Sequence, residues 1–236
     1  MKIVYIDNND SFADTIASYF LLAGDSLKEN GVMEEDIELK MFQSNCDLEV
    51  IVNEKPDLII LGSGPNSPKE AGNYLEILDK LHKDYAIFGV CLGMQAMMDY
   101  MGEDVERLED VIHGATSKIK HTGNSFFEGI YEVDEKTNKK ENVAEFARYH
   151  SLGTYKKNSD RSYHPLAFPF GLLDTKNYDF DILATTPDSN GKDIIMAIEH
   201  KKYRFGGVQM HPESILSTDK EYKLTLFENV IKKVLK

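Results

Sequence analysis

The chain has 236 residues, of which 42% are hydrophobic and 28% charged. These fractions are near the soluble globular averages of roughly 45–50% and about 25%, which excludes a wholly disordered chain. Forty Asp and Glu against 27 Lys and Arg give a formal charge of −13. That excess repels the phosphate backbone that proteins hold with Lys and Arg, so we expect no nucleic-acid partner. The length fits one large α/β domain spanning residues 1–236.

The cysteine content and the apolar runs indicate a cytoplasmic protein. Cys46 and Cys91 could form at most one disulfide, which a domain of this size does not need. The apolar run at the N-terminus meets Asp7 before it is long enough for a signal peptide. No uncharged apolar stretch reaches the ~18 residues of a membrane span. We therefore expect a reducing compartment and no membrane association.

The first half of the chain alternates between strand and helix patterns. Short apolar runs at 2–6, 57–61 and 86–90 are typical of strands that are buried on both faces of a parallel sheet. Helices are predicted at 11–23, 72–82 and 92–101. This alternation predicts a doubly wound sheet, in which ligands bind at the carboxyl ends of the strands.

The first predicted helix carries signals at both of its ends. Asp10 and Ser11 are candidates for its N-terminal cap. Gly24 follows the last apolar position and is a candidate for its stop, because glycine often ends helices. We therefore expect this helix to begin after Ser11 and to end at Gly24.

The second half of the chain has an α+β character. The runs 181–186 and 194–200, separated by the turn sequence DSNG, predict a β-hairpin. An amphipathic helix fits residues 219–235. Polar stretches at 132–142 and 155–165 indicate surface loops. The predicted fold is thus an open, mostly parallel, doubly wound, flavodoxin-like α/β sheet flanked by helices, with antiparallel additions in its second half.

A candidate nucleophile stands between a strand and a helix, in the sequence GVCLGMQ. Gly89 and Gly93 permit a tight turn that presents Cys91 outward, as in the nucleophile elbow of hydrolases. The start of a helix also favours the reactive thiolate. Since an isolated cysteine is more often a buried core residue, the elbow alone leaves that alternative open. Cys46 has no flanking glycines, and we interpret it as structural.

A base for this thiol is offered by the sequence VQMHPES. His211 and Glu213 are two residues apart, and in an extended segment such residues point to the same side. Pro212 between them restricts the backbone and stiffens the pair. The preceding run RFGGVQM would place both at the end of a strand, where they can serve a nucleophile.

The loop GSGPNSP follows the predicted strand at 57–61. A loop rich in Gly and Pro can aim a backbone N–H at a developing oxyanion, and Leu92, next to the candidate nucleophile, can supply a second donor. The alternative is an ordinary turn at the end of a strand.

Together these segments resemble the class I glutamine amidotransferases, in particular the glutaminase subunits of anthranilate synthase and of aminodeoxychorismate synthase. The resemblance extends over nearly the whole chain, in the family's order. Beyond the three segments above, it rests on DNNDSF at 7–12, SPKEAG at 67–72, HGATS at 113–117, FFEGI at 126–130, RYHSL at 148–152 and GVQMHPESILS at 207–217.

The resemblance implies a role for each matching residue. Cys91 would be the nucleophile, His211 the general base and acid, and Glu213 the residue that orients His211. Gly64 and Leu92 would supply the N–H groups of the oxyanion hole. The residues that would hold L-glutamine are Gly64, Pro65, Asn66, Gln95, Ser151 and Leu152.

The resemblance also implies a partner, a large chorismate-binding synthase subunit that receives the ammonia in a hetero-oligomer. Anthranilate synthase, in tryptophan biosynthesis, is the first choice, and aminodeoxychorismate synthase, in folate biosynthesis, is the second. No metal or cofactor is implied. Two further hypotheses remain: a free-standing γ-glutamyl hydrolase, and a binding module with a structural cysteine.

The chain departs from the family pattern at a few positions. Asn66 stands where the family has glycine, and asparagine is a common substitute where a positive φ is needed. Asn9 stands for an aromatic residue and Ala115 for a lysine. These differences leave the three predicted catalytic residues unchanged.

Overall fold

The computed structural model describes residues 1–156, 180–217 and 220–236. Within these ranges the strands are β1 (Lys2–Asp7), β2 (Glu38–Gln43), β3 (Leu58–Leu61), β4 (Ala86–Val90), β5 (Glu106–His121), β6 (Glu132–Val133), β7 (Lys140–Glu141), β8 (Val143–Gly153), β9 (Phe180–Pro187), β10 (Asp193–His200) and β11 (Phe205–Val208). The helices are α1 (Ala13–Glu29), α2 (Leu48–Glu54), α3 (Tyr74–Leu81), α4 (Leu92–Tyr100) and α5 (Lys220–Leu235).

The main sheet has two parts, which meet at β11. Across the described ranges it contains nine strands in the order β2-β1-β3-β4-β11-β10-β9-β5-β8. The strands from β2 to β11 are parallel, and those from β11 to β8 pair antiparallel. The predicted α/β fold with antiparallel additions is confirmed. The additions are as extensive as the parallel part.

Helices cover both faces of the parallel part, so its inner strands β1, β3, β4 and β11 are buried on both sides, whereas the edge strand β2 is not. Alternate residues of β1 point to opposite faces. Tyr5 belongs to a core that includes Phe20 of α1 and Phe227 of α5, whose rings are 4.9 Å apart. Ile6 belongs to a second core that includes residues of α3 and α4. This packing explains why the strand patterns read as continuous apolar runs.

Both end signals predicted for the first helix were wrong. Helix α1 continues through Gly24 and ends at Glu29. A Cβ on Gly24 would lie 2.4 Å from Cδ1 of Ile37, so the glycine allows close packing and does not end the helix. At the other end the cap position is Phe12, without a capping hydrogen bond from its side chain. Asp10 instead accepts a hydrogen bond from the hydroxyl of Ser63.

The remaining predicted elements agree well with the structure. The hairpin is β9–β10, and Asp188 in its turn accepts hydrogen bonds from the N–H of Asn190 and of Lys192. The final helix is α5. The polar stretch 132–142 contains the exposed hairpin β6–β7, whereas most of 155–165 lies outside the described residues. None of the helices in the described ranges is long and apolar enough to cross a membrane.

Candidate active site

Cys91 lies at the junction of β4 and α4, where the backbone makes a sharp turn. Its φ is +52°, a value that a residue with a side chain rarely adopts, and its N–H donates to the carbonyl of Val208 at 2.8 Å. A Cβ on Gly93 would lie 2.1 Å from the carbonyl oxygen of Leu61. Glycine is therefore required there for α4 to approach β3. The predicted strand–turn–helix elbow is present.

His211 and Glu213 form a buried pair just after β11. The imidazole Nδ1 lies 2.6 Å from the carboxylate Oε1, and both residues are 2% exposed. Since a carboxylate accepts, Nδ1 carries the proton and the other ring nitrogen, Nε2, remains available to Cys91. The N–H of His211 donates to the carbonyl of Ala147 at 2.9 Å, which anchors the segment to β8.

Two aromatic rings hold the imidazole in place. The ring centroids of Phe12 and Tyr149 are each 5.2 Å from that of His211. The hydroxyl groups of Tyr149 and Ser214 are 2.9 Å apart, which ties the strand β8 to the segment that carries the candidate base. Both rings restrict the orientations that His211 can adopt.

The electrostatics of the site favour a protonated imidazole. Burial alone lowers the pKa of His211, but the negative charges of Glu213 and Cys91, with the hydrogen bonds to both, outweigh it. The pKa of His211 is therefore well above its usual range. A thiol next to such an imidazolium forms an ion pair readily.

A cleft of about 670 Å³ opens in front of Cys91 and His211. The structure brings together in its lining the six residues predicted to hold a substrate: Gly64, Pro65, Asn66, Gln95, Ser151 and Leu152. Glu213 and Leu92 do not line the cleft. Glu213 contacts the imidazole of His211. Leu92 as a whole is 1% exposed, and the group that it would contribute is its backbone N–H at the start of α4.

The loop after β3 is held against the end of β1. Asn8 donates from Nδ2 to the carbonyl of Pro65 at 3.3 Å, and its Oδ1 accepts from the hydroxyl of Ser44 at 2.7 Å. A Cβ on Gly64 would lie 2.5 Å from the carbonyl oxygen of Asn8, so only glycine fits there. The φ of Asn66 is +72°, which is the conformation expected from its replacement of a glycine.

Two backbone N–H groups near Cys91 have no acceptor among the residues that the structure describes, one on Gly64 in the cleft lining and one on Leu92, which follows Cys91 in the chain. An unpaired N–H at the first turn of a helix is normal, and it can bind an anion. These are the two donors that the sequence predicts for an oxyanion.

The sequence analysis missed two polar residues of the site, Asn8 and Gln209. Gln209 is 1% exposed, and its Nε2 lies 3.5 Å from the sulfur of Cys91. Gln209 precedes His211 by two residues. The same spacing rule that pairs His211 with Glu213 therefore also places Gln209 on the side of the nucleophile. In the described part of the chain, no cluster of three His, Cys, Asp or Glu residues is placed to hold a metal ion.

Comparison with known proteins identifies relatives over nearly the whole chain. The family described as glutamine amidotransferase class-I matches residues 4–231. Anthranilate synthase component 2 of Methanocaldococcus jannaschii is 32% identical over 222 residues, which cover 94% of this chain and 89% of that protein. Aminodeoxychorismate/anthranilate synthase component 2 of Bacillus subtilis is 32% identical over 234 residues and 99% of each chain.

A solved structure has the same fold at lower sequence identity. The glutaminase domain of Trypanosoma brucei CTPS, solved with bound acivicin, has a TM-score of 0.65 and 15% identity, over 100% of this chain and 94% of that one. At this identity the likeness shows the fold and says nothing of the substrate.

Proposed function

Because the chain belongs to the class-I glutamine amidotransferase family, we propose that it hydrolyses L-glutamine with a triad of Cys91, His211 and Glu213. The observation that carries the proposal is the buried contact of 2.6 Å between His211 and Glu213, because His211 lines the same cleft as Cys91. Family membership sets aside the hypothesis of a binding module with a structural cysteine. The amidotransferase domain is proposed to span residues 1–236.

The proposed reaction has two half-reactions. The thiolate of Cys91 attacks the side-chain amide carbon of glutamine, and the carbonyl becomes an oxyanion bound by the N–H groups of Gly64 and Leu92. His211 then gives its proton to the nitrogen as the C–N bond breaks and ammonia leaves. In the second half-reaction His211 takes a proton from water, which attacks the thioester, and glutamate leaves as the thiolate re-forms.

The hydrogen bonds of Gln95 define what it can offer to the substrate. Its Nε2 already donates to the carbonyl of Leu152 at 2.9 Å and to Oε1 of Gln209 at 3.2 Å. Because both amide hydrogens are used, only Oε1 is left, and that atom can only accept. We therefore propose that Oε1 of Gln95 accepts a hydrogen bond from an N–H group of bound glutamine. Asn66, Ser151 and Leu152 would complete the walls of the proposed glutamine site.

The ammonia is proposed to pass to a large chorismate-binding synthase subunit in a hetero-oligomer. The names of both relatives include anthranilate synthase, which supports that acceptor first. One name also includes aminodeoxychorismate synthase, and this remains the second candidate. A catalytic thiol fits a reducing, cytoplasmic compartment.

The test is glutamate release by the pure chain, measured with and without each candidate synthase and chorismate. We expect slow release from the chain alone and a large rise with the correct partner, because hydrolysis without an acceptor would waste glutamine. Repositioning one oxyanion donor would account for ~10²–10³ in rate. Fast release by the chain alone, unchanged by either partner, would instead support a free-standing γ-glutamyl hydrolase.

A further inference from the structure

Gln209 directly contacts the sulfur of the proposed nucleophile. It follows β11, and its backbone N–H donates to the carbonyl of Met196 at 2.8 Å. Its side-chain Nε2 lies 3.5 Å from Sγ of Cys91, and the residue is 1% exposed. A buried amide must satisfy its donors within the protein, and here the acceptor is the reacting atom.

The direction of this hydrogen bond follows from the neighbouring groups. The carbonyl of Leu152 can only accept, so the atom of Gln95 that lies 2.9 Å from it is the donor Nε2. The same Nε2 faces Gln209 at 3.2 Å, so the atom of Gln209 on that side is the acceptor Oε1. The donor group of Gln209 is thereby turned toward the sulfur of Cys91.

Two buried residues of β8, Arg148 and His150, lie beside the carbonyl of Leu152 that accepts from Gln95. Arg148 donates from Nε to Nε2 of His150 at 3.0 Å, so His150 must carry its proton on Nδ1, which faces the carbonyl of Leu152 at 2.9 Å. Burial and the charge of Arg148 lower the pKa of His150 to about 3, which keeps the ring neutral. The carbonyl of Leu152 is therefore fixed as the acceptor for Gln95.

We propose that Gln209 is a further catalytic residue, which donates a hydrogen bond from Nε2 to the Cys91 sulfur and stabilises its thiolate. This inference rests on the proposed function, in which Cys91 is the nucleophile. A charged acceptor binds a donor more strongly than a neutral one, so the bond favours the thiolate over the thiol. The thiolate attacks in the first half-reaction and leaves in the second, and Gln209 assists both.

The experiment measures the pH dependence of Cys91 alkylation by iodoacetamide, in full-length protein carrying Cys46→Ala. Gln209→Met removes the donor while keeping a similar side-chain volume. We expect the apparent pKa of the Cys91 thiol to rise by about one unit, so that ~10-fold less thiolate is present at a pH below that pKa. Gln209→Glu keeps an acceptor for Gln95 but adds a negative charge, so its rise should be larger. Glutaminase kcat should fall in the same order.

The titratable groups that interact with Cys91 include His211, which follows β11, and Tyr74 of α3. The titratable groups that line the same cleft are Asp10, His113, Tyr149 and His150, and none of these residues changes in the variants. Asn229→Asp is the control, because Asn229 is another buried amide, which donates to the carbonyls of Phe126 and Glu128. It should affect thermal stability and leave the thiolate pKa unchanged. If Gln209→Glu does not fold, Gln209→Asn withdraws the same donor by one carbon and should raise the pKa.

The two proposals fail in distinguishable ways. An unchanged thiolate pKa in every folded Gln209 variant, together with loss of glutaminase activity in Cys91→Ala, would overturn the role of Gln209 alone. Retained glutaminase activity in Cys91→Ala would overturn the nucleophile and, with it, this inference. The inference is supported if the pKa of the Cys91 thiol rises in Gln209→Met and rises further in Gln209→Glu. Lost packing alone would not depend on the added charge.

Discussion

The parallel and antiparallel parts of the sheet contribute to the cleft in different ways. In the parallel part, Gly64, Cys91 and His211 all lie just beyond the carboxyl ends of strands, where the backbone turns. In the antiparallel part, Tyr149, Ser151 and other wall residues belong to β8 itself. The proposed chemistry therefore depends on backbone turns, whereas one wall of the cleft is formed by side chains of a continuous strand.

The two parts also differ in their exposure. The strands β3 and β4 are buried at every position, whereas only three of the 16 residues of β5 are buried. A parallel strand covered by helices has no solvent-facing side on which substitutions are tolerated, whereas an antiparallel strand with one face in water has such a side. We therefore expect the effects of substitution to decrease from the strand ends of the parallel part to the exposed hairpin of the second half.

The largest effect is expected at the elbow. Cys91→Ala removes the proposed nucleophile, and glutaminase activity should fall by at least ~10⁴-fold, since loss of a triad nucleophile is of that order or more. Synthesis by the partner with added ammonia should persist. The measurement is glutamate release and product formation with each nitrogen source.

Cys46→Ala is the matched control for that variant, because Cys46 is the other free cysteine, outside the cleft. It should retain wild-type activity. Equal loss of activity in the two variants would contradict the assignment of Cys91.

The next largest effects are expected at the segment after β11. In the proposed mechanism His211 moves protons in both half-reactions, whereas Glu213 orients it, so Glu213→Gln should retain more activity than His211→Ala. The loss in Glu213→Gln can still approach ~10⁴-fold, as in a serine-protease triad. The measurement is the single-turnover rate of Cys91 acylation in each variant, which should be lower in His211→Ala than in Glu213→Gln. An unchanged acylation rate in His211→Ala would place the base elsewhere.

A smaller effect is expected at the loop after β3. In Gly64→Ala the added Cβ would meet the carbonyl oxygen of Asn8 at 2.5 Å, so the loop must move and its N–H would leave the oxyanion. The loss in kcat should be ~10²–10³-fold. Gly191→Ala is the control, because Gly191 has a positive φ of +79° and open space around it. That control should lower stability without changing kcat, and equal kcat losses in both would argue against a specific role for Gly64.

The smallest effect is expected at the hairpin β6–β7. Its turn is held locally, with Asp134 accepting hydrogen bonds from the N–H groups of Lys136 and Thr137, and the strands themselves are two residues each. Replacing residues 134–139 by Asn-Gly, which favours a tight hairpin turn, should leave glutaminase kcat within about twofold of wild type. A large loss in the pure chain would show that this hairpin supports the site. A loss seen only with the synthase would place the hairpin at the partner interface.

Features that depend on local sequence were predictable. The apolar runs of β1, β3 and β4, the turn of the β9–β10 hairpin and the glycines around Cys91 are determined by backbone and neighbour preferences within a few residues. The spacing of His211 and Glu213 belongs to the same class. Their catalytic roles stay predictions, to which the structure adds the short contact and the shared cleft.

Features that depend on distant contacts were decided only by the tertiary structure. Gly24 looked like a helix stop because nothing nearby in sequence shows that Ile37 packs against it. The edge strand β2 and the short helix α2, which have mixed exposure, were missed because half-exposed segments lack a strong apolar pattern. The hydrogen bond from Gln209 to Cys91 joins residues 118 positions apart. Such contacts form only when the sheet brings strand ends together, so the local spacing can place Gln209 on the same side as His211 but cannot specify its contact with Cys91.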